Sequence, residues 1–207
     1  MKIRLVSVVL VALLAGCASK PLPPSALFTE VEPWAPPTPD MAQIVFLAPA
    51  DAPTLADTNA LYELDGSRRV LVAALAAHTG SFNQVKPGHH VFMTYGRAGH
   101  LLEANVEGGA RYYVLLRSDG KSELTPLPMR MTEDAEVSNR SPESGQWLEA
   151  STMVEKTPTA DLWFAAKTAQ VATAQAAAIS AWEGKTTQER AALTLERDDA
   201  VLRSSAP

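Results

Sequence analysis

VKPGHHVFMTYGRAGHLLEANVEGGARYYVLL, residues 85–116, contains three short apolar stretches separated by turn residues. Val85-Lys86-Pro87-Gly88 reads as a type II turn, because proline presets φ at its second position and glycine takes the positive φ needed at its third. Val91, Met93 and Tyr95 follow at the two-residue period of a strand. Gly96 to Gly99 turns the chain back, and Leu102, Ala104 and Val106 repeat the period. Gly108-Gly109 turns it again, into Tyr112, Val114 and Leu116. A two-residue period cannot serve a helix, whose faces recur every 3.6 residues, so this stretch is β.

The same signals extend upstream. Gln43 to Ala48 is a strand, with Ile44, Val45, Phe46 and Leu47 apolar in succession. Ala60, Tyr62 and Leu64 alternate up to Asp65-Gly66, a hairpin turn with Val70, Leu71 and Val72 on the return. Ala73 to Gln84 is less regular and reads as a short helix or a loop. Downstream, Leu124 to Met131 adds an edge strand, since Pro126 and Pro128 lack the donors a central strand needs. Six or seven strands at about ten-residue spacing predict a small antiparallel sandwich or barrel over residues 41–131.

Two segments of this region, Val85-Lys86-Pro87-Gly88-His89-His90 and Gly109-Ala110-Arg111-Tyr112-Tyr113-Val114, resemble the small sandwich domains of bacterial envelope lipoproteins. The nearest such family is domain of unknown function 2846, with a more distant likeness to transthyretin-like and PEGA-type modules. The likeness spans about Met41 to Arg117 and implies a prealbumin-like β-sandwich on a lipoprotein, with no activity to carry over. The chain has Ala48-Pro49-Ala50 where that family carries an arginine near its first strand.

The N-terminus supplies the lipoprotein signal independently. Met1-Lys2-Ile3-Arg4 precedes a run from Leu5 to Leu14 that is almost wholly apolar, and Ala15-Gly16-Cys17 follows. A basic start, about ten apolar residues and small residues before the cut make a secretory signal over residues 1–16. Ten residues reach only about 15 Å as a helix, too short to span a bilayer. Leu14-Ala15-Gly16-Cys17 also resembles the bacterial lipobox. That resemblance implies diacylglyceryl transfer to the Cys17 thiol, cleavage between Gly16 and Cys17, and acylation of the new amine. Two or three acyl chains anchor stably where one does not. Ala18, rather than aspartate, follows the cysteine. In an organism with two membranes the expected address is therefore the periplasmic face of the outer membrane.

Residues 17–40 read as a lipidated tether. Seven prolines fall between Pro21 and Pro39, favouring extended polyproline II. At about 3.1 Å per residue, Ala18 to Asp40 reaches roughly 70 Å. Leu27, Phe28 and Trp34 interrupt the tether and either dock on the folded domain or bind a partner.

Residues 132–156 are a polar linker with a loop at Ser141–Gly145, and residues 157–204 are helical. Thr157 with Pro158 caps the start of the first helix. Leu162, Ala165, Ala169, Ala172, Ala176 and Ile179 share one face of it, with Trp163, Phe164 and Trp182 adding bulk, and Gly184 stops it. Thr186 with Glu189 forms a capping box for a second helix carrying Leu193, Leu195, Val201 and Leu202. The expected fold is thus mainly β with a C-terminal helical hairpin. That hairpin either packs on the sheet or pairs with a partner.

The 207 residues are 46% hydrophobic and 20% charged, as expected of a folded domain. Eighteen basic and 23 acidic side chains give a net charge of −5. Without Lys2 and Arg4 the imbalance grows, which argues against nucleic acid as a partner. The expected partners are the membrane, through lipid on Cys17, and an envelope protein. The single cysteine is consumed by lipidation, and no Gly-x-Ser-x-Gly elbow is present. Asp51, Asp57, Glu63 and Asp65 are scattered over strand ends and turns, and the Gly96–Gly99 and Gly108-Gly109 turns precede no helix that would cradle a phosphate. His78, His89 and His100 are the alternative, as a metal or hydrolase site. However, adjacent His89 and His90 point to opposite faces of a strand and cannot easily share an ion. No catalytic residue, metal or cofactor is expected.

Overall fold

A computed structural model describes residues 26–32, 35–48, 59–118 and 123–203. Gly16, Cys17, Trp34, Asp51 and Asp57, with the expected signal segment over residues 1–16, lie outside them.

The chain is mainly β with a few helices. Its elements begin with β1 (Phe28–Glu30), β2 (Ala42–Ala48), β3 (Asn59–Asp65), β4 (Arg68–Leu75), β5 (Thr79–Val85) and β6 (Gly88–Tyr95). Then come β7 (Gly99–Val106), β8 (Ala110–Ser118), β9 (Leu124–Pro128), helix α1 (Pro142–Glu149) and β10 (Thr152–Lys156). Helices α2 (Pro158–Ala165), α3 (Thr168–Glu183) and α4 (Thr187–Ala192) follow. The described chain closes with β11 (Thr194–Leu195), a 3-10 turn at Arg197–Asp199, and β12 (Leu202–Arg203).

The strands form two sheets, ordered β1-β10-β5-β2-β8-β12 with β9 also on β8, and β11-β7-β6-β3-β4. Both are mixed, which corrects the wholly antiparallel expectation. β2 pairs with β8 in parallel, as do β10 with β5 and β11 with β7. Residues from both sheets meet in one apolar cluster that includes Ile44, Phe46, Leu61, Phe92, Leu102, Tyr112 and Val114. Phe46 and Phe92 stack across it at 5.2 Å between centroids.

The unbroken apolar run in β2 now has a cause. Its other face, Val45 and Leu47, joins Tyr113, Leu115, Met129 and Val137 under Trp147 and Leu148 of α1, so both faces of β2 are covered. The second sheet is covered likewise. Tyr62, Leu64, Leu71, Met93 and Leu101 pack against Ala160, Phe164, Val171, Ala178 and Trp182 of α2 and α3. α3 comes close at Gly99, where a Cβ would lie 3.1 Å from the Ala174 carbonyl oxygen.

Positive φ occurs at Gly66 (57°), Gly88 (135°), Gly109 (70°) and His78 (59°). Asp65-Gly66 joins β3 to β4, Pro87-Gly88 opens β6, and Gly108-Gly109 joins β7 to β8. β9 lies at a sheet edge, where Pro126 and Pro128 are tolerated.

Several expectations fail. The stretch Ala73–Gln84 is neither helix nor loop: β4 runs through Leu75, and β5 begins at Thr79 after a turn in which Thr79 Oγ1 donates to the Ala76 carbonyl at 2.8 Å. Its alanines and small polar residues have weak strand preference, and burial decides their conformation. The linker over 132–156 contains α1 and β10.

The proline-rich stretch is not free spacer over its described residues. β1 pairs with β10, Leu27 is buried in the core, and Pro37 is buried. The 70 Å reach expected for residues 18–40 is shortened accordingly.

The second helix of the expected hairpin ends at Ala192. Leu195 instead pairs with Ala104 in β11, because a free strand edge beside β7 offers both hydrogen bonds and burial. Leu202 is in β12, paired with Arg111. The buried face of the first helical segment is Ala160, Phe164, Val171, Gln175, Ala178 and Trp182, not the stripe from Leu162 to Ile179. Alanine lies on both faces, so the apolar pattern discriminates poorly between them. The first segment also breaks between Ala165 and Thr168. Among the described residues no helix is long and apolar enough to cross a membrane.

Candidate functional site

The four histidines are dispersed. β6 and β7 pair with His89 opposite Asn105, His90 opposite Ala104, and His100 opposite Thr94. His89 and Thr94 are five residues apart on β6, so His89 and His100 sit about 17 Å apart along the strand. They also face opposite ways: His90 and His100 share the face of Phe92, and His89 shares that of Met93. His78 lies apart in the β4–β5 turn.

Three of the histidines keep their own carboxylate. His89 Nε2 is 3.6 Å from Glu103, and His100 Nε2 is 3.2 Å from Glu123. His90 Nδ1 is 2.9 Å from Glu63, whose other oxygen accepts from Asn83 Nδ2 at 2.9 Å, while His90 Nε2 is 2.8 Å from the Lys86 carbonyl oxygen. The pairs of His89 and His90 tie neighbouring strands, and that of His100 ties β7 to the residue just before β9. The His78/His89/His100 grouping is therefore not brought together, and among the described residues no cluster of three His, Cys, Asp or Glu side chains could hold a metal.

The structure does assemble a site elsewhere, where the β3–β4 hairpin meets α2 and α3. An open cleft of about 390 Å³ lies between them. Its floor is Tyr62 and Leu71 from the sheet, and its far wall is Phe164 and Val171 from the helices. Tyr62 and Phe164 meet edge to face at 6.3 Å and 86°, which fixes the tyrosine ring. Ser67, Arg68 and Arg69 line the rim on the hairpin side, and Asp161 and Thr168 on the helical side.

Gln175, buried on α3, locks this junction. It donates to the Gly66 carbonyl at 2.9 Å and accepts from Arg69 Nη1 at 2.7 Å. Asp161 is held by Lys156 at 2.7 and 2.8 Å, so its charge is answered locally. Burial, and secondarily the nearby Tyr95, raises the Tyr62 phenol well above its ordinary range, while Arg69 opposes the shift. Tyr62 therefore stays protonated and is a donor.

Tyr62 and Leu71 were legible only as alternating strand residues, and Phe164 only as helical bulk. Nothing in the spacing connects a hairpin near residue 66 to a helix 100 residues later. The one available signal was the Arg68-Arg69 pair, two residues after the hairpin Gly66. No protein-family model matches the chain, and a search of curated proteins found no match.

Proposed function

We propose that the protein is a membrane-anchored periplasmic lipoprotein. It is held by lipid on Cys17, at the outer membrane's periplasmic face where the organism has two membranes. There it serves as a non-catalytic binding or accessory subunit of an envelope component. The anchor rests on the leader and the Leu14-Ala15-Gly16-Cys17 signal. The finer architecture we infer is a small prealbumin-like sandwich of the kind found in envelope lipoproteins. In it, α3 and the short α4 take the place of the helical hairpin.

The observation that carries the binding half is the outer face of α2 and α3. Leu162 is 75% exposed and Ile179 39% exposed, with Ala165, Ala169 and Ala176 exposed between them. Apolar residues turned to water on both α2 and α3, whose other sides are packed on the sheet, suit an apolar groove on a protein partner.

The test is a photo-crosslinking residue at Leu162 or Ile179 in the full chain, irradiated in intact cells, with Glu133 as an exposed control. The expected result is one envelope protein captured from both stripe positions and not from Glu133. Equal capture at all three positions, or none at the stripe, would overturn the reading.

A further inference from the structure

The cleft beneath the β3–β4 hairpin has a chemistry distinct from the apolar helical stripe. We propose that it binds a small organic anion: a carboxylate or phosphate head on a compact apolar body. The proposal rests on the binding reading and gives that reading a ligand class.

The positive charge there is unspent. Arg68 is exposed and has no hydrogen-bond or ion-pair partner among the described residues. Arg69 gives one N–H to Gln175 and is oriented by it, leaving other donors of its planar fork for an oxyanion. Asp161 is the one acidic group lining the cleft and is bonded to Lys156, which leaves as the cleft's cations Arg69, on the Tyr62 face of β4, and Arg68, at the hairpin tip opposite Asp65. A cationic recess on a chain of net charge −5 is a local exception to the charge of its surroundings.

The second observation is independent of charge. Tyr62 is only 5% exposed, lines the cleft, and has no hydrogen-bond partner for its hydroxyl among the described residues. The hydroxyl is not sealed from water, so it opens into the cleft. Burial of the ring keeps the proton on, and a ligand oxygen can replace that water as its acceptor. Leu71, Phe164 and Val171 supply apolar wall for the rest of the ligand. The 390 Å³ available lies within the usual range of small-molecule sites.

The test is calorimetric titration of the full lipidated chain in lipid nanodiscs with benzoate and with phenyl phosphate, using benzyl alcohol as the uncharged control. At least one anion is expected to bind about tenfold or more tightly than benzyl alcohol. Which one binds identifies the head group. Arg68→Gln breaks no hydrogen bond or ion pair among the described residues and is expected to weaken binding about tenfold. Tyr62→Phe, which keeps the ring on Phe164, is expected to weaken it by a smaller factor. No saturable binding of either anion, equal binding of benzyl alcohol, or unchanged binding by Arg68→Gln would each overturn the proposal. Partner capture at Leu162 and Ile179 in intact cells, together with no anion binding in nanodiscs, would place the failure in this cleft rather than in the binding reading.

Discussion

Arg130 leaves the end of β9 and reaches the C-terminal segment. Its Nη1 donates to Asp199 Oδ2 at 2.6 Å and to the Thr194 carbonyl at 2.8 Å, and its Nη2 donates to the Ala191 carbonyl at 2.7 Å. Asp199 is buried and also accepts the Glu196 N–H at 2.9 Å. One guanidinium thus terminates α4 and places β11 at its sheet edge. Arg130→Ala would leave Asp199 buried without its cation, at a cost of about 3 kcal/mol. Denaturant melts check this, and a loss below about 1 kcal/mol would show the pair to be a surface contact. Neither residue stood out in the sequence, where 69 positions separate them. The same holds for the histidines. Opposite faces for His89 and His90 followed from strand geometry, whereas Glu63 and Glu103 became partners of His90 and His89 only through strand register.

β1 shows how a segment with poor strand composition becomes one. Phe28–Glu30 is three residues long and flanked by prolines, yet it pairs with β10, and Thr157 bonds back to it through both its N–H (to the Leu27 carbonyl) and its hydroxyl (to the Ala26 carbonyl). Leu27 anchors it among Tyr62, Phe164 and their neighbours. Leu27→Ala is expected to cost about 3 kcal/mol, because the site is closed around it and a cavity would remain. A thermal-melt change within error would instead mark Leu27 as a loosely held part of the tether. The helices teach the complementary lesson. Thr157 capping Ala160 and the Thr186–Glu189 capping box are local bonds, visible three residues apart. Which helical face is buried depends on the sheet beneath, and an alanine-rich sequence does not announce it.

Across the described residues the two sheets share one apolar cluster, α1 packs on the first sheet, and α2 and α3 pack on the second. The proposed lipid attachment is at Cys17, ahead of β1 in the sequence, so fold and address can be tested separately. Cys17→Ser is accordingly expected to abolish the membrane-bound fraction in cell fractionation while leaving the melting transition of the folded part unchanged. Unchanged membrane sedimentation would refute the lipid anchor. Strand period, hairpin turns and helix caps could be read in advance because each depends on residues a few positions apart. The leader and its cysteine are linear signals too, and the anchor proposal rests on them alone. Parallel pairing of β2 with β8, capture of β1 and β11 by free sheet edges, and the cleft joining Tyr62 and Arg69 to Phe164 and Gln175 could not be read in advance. Those are choices between competing surfaces, and an edge strand or a cleft wall acquires its value only when the partner surface exists.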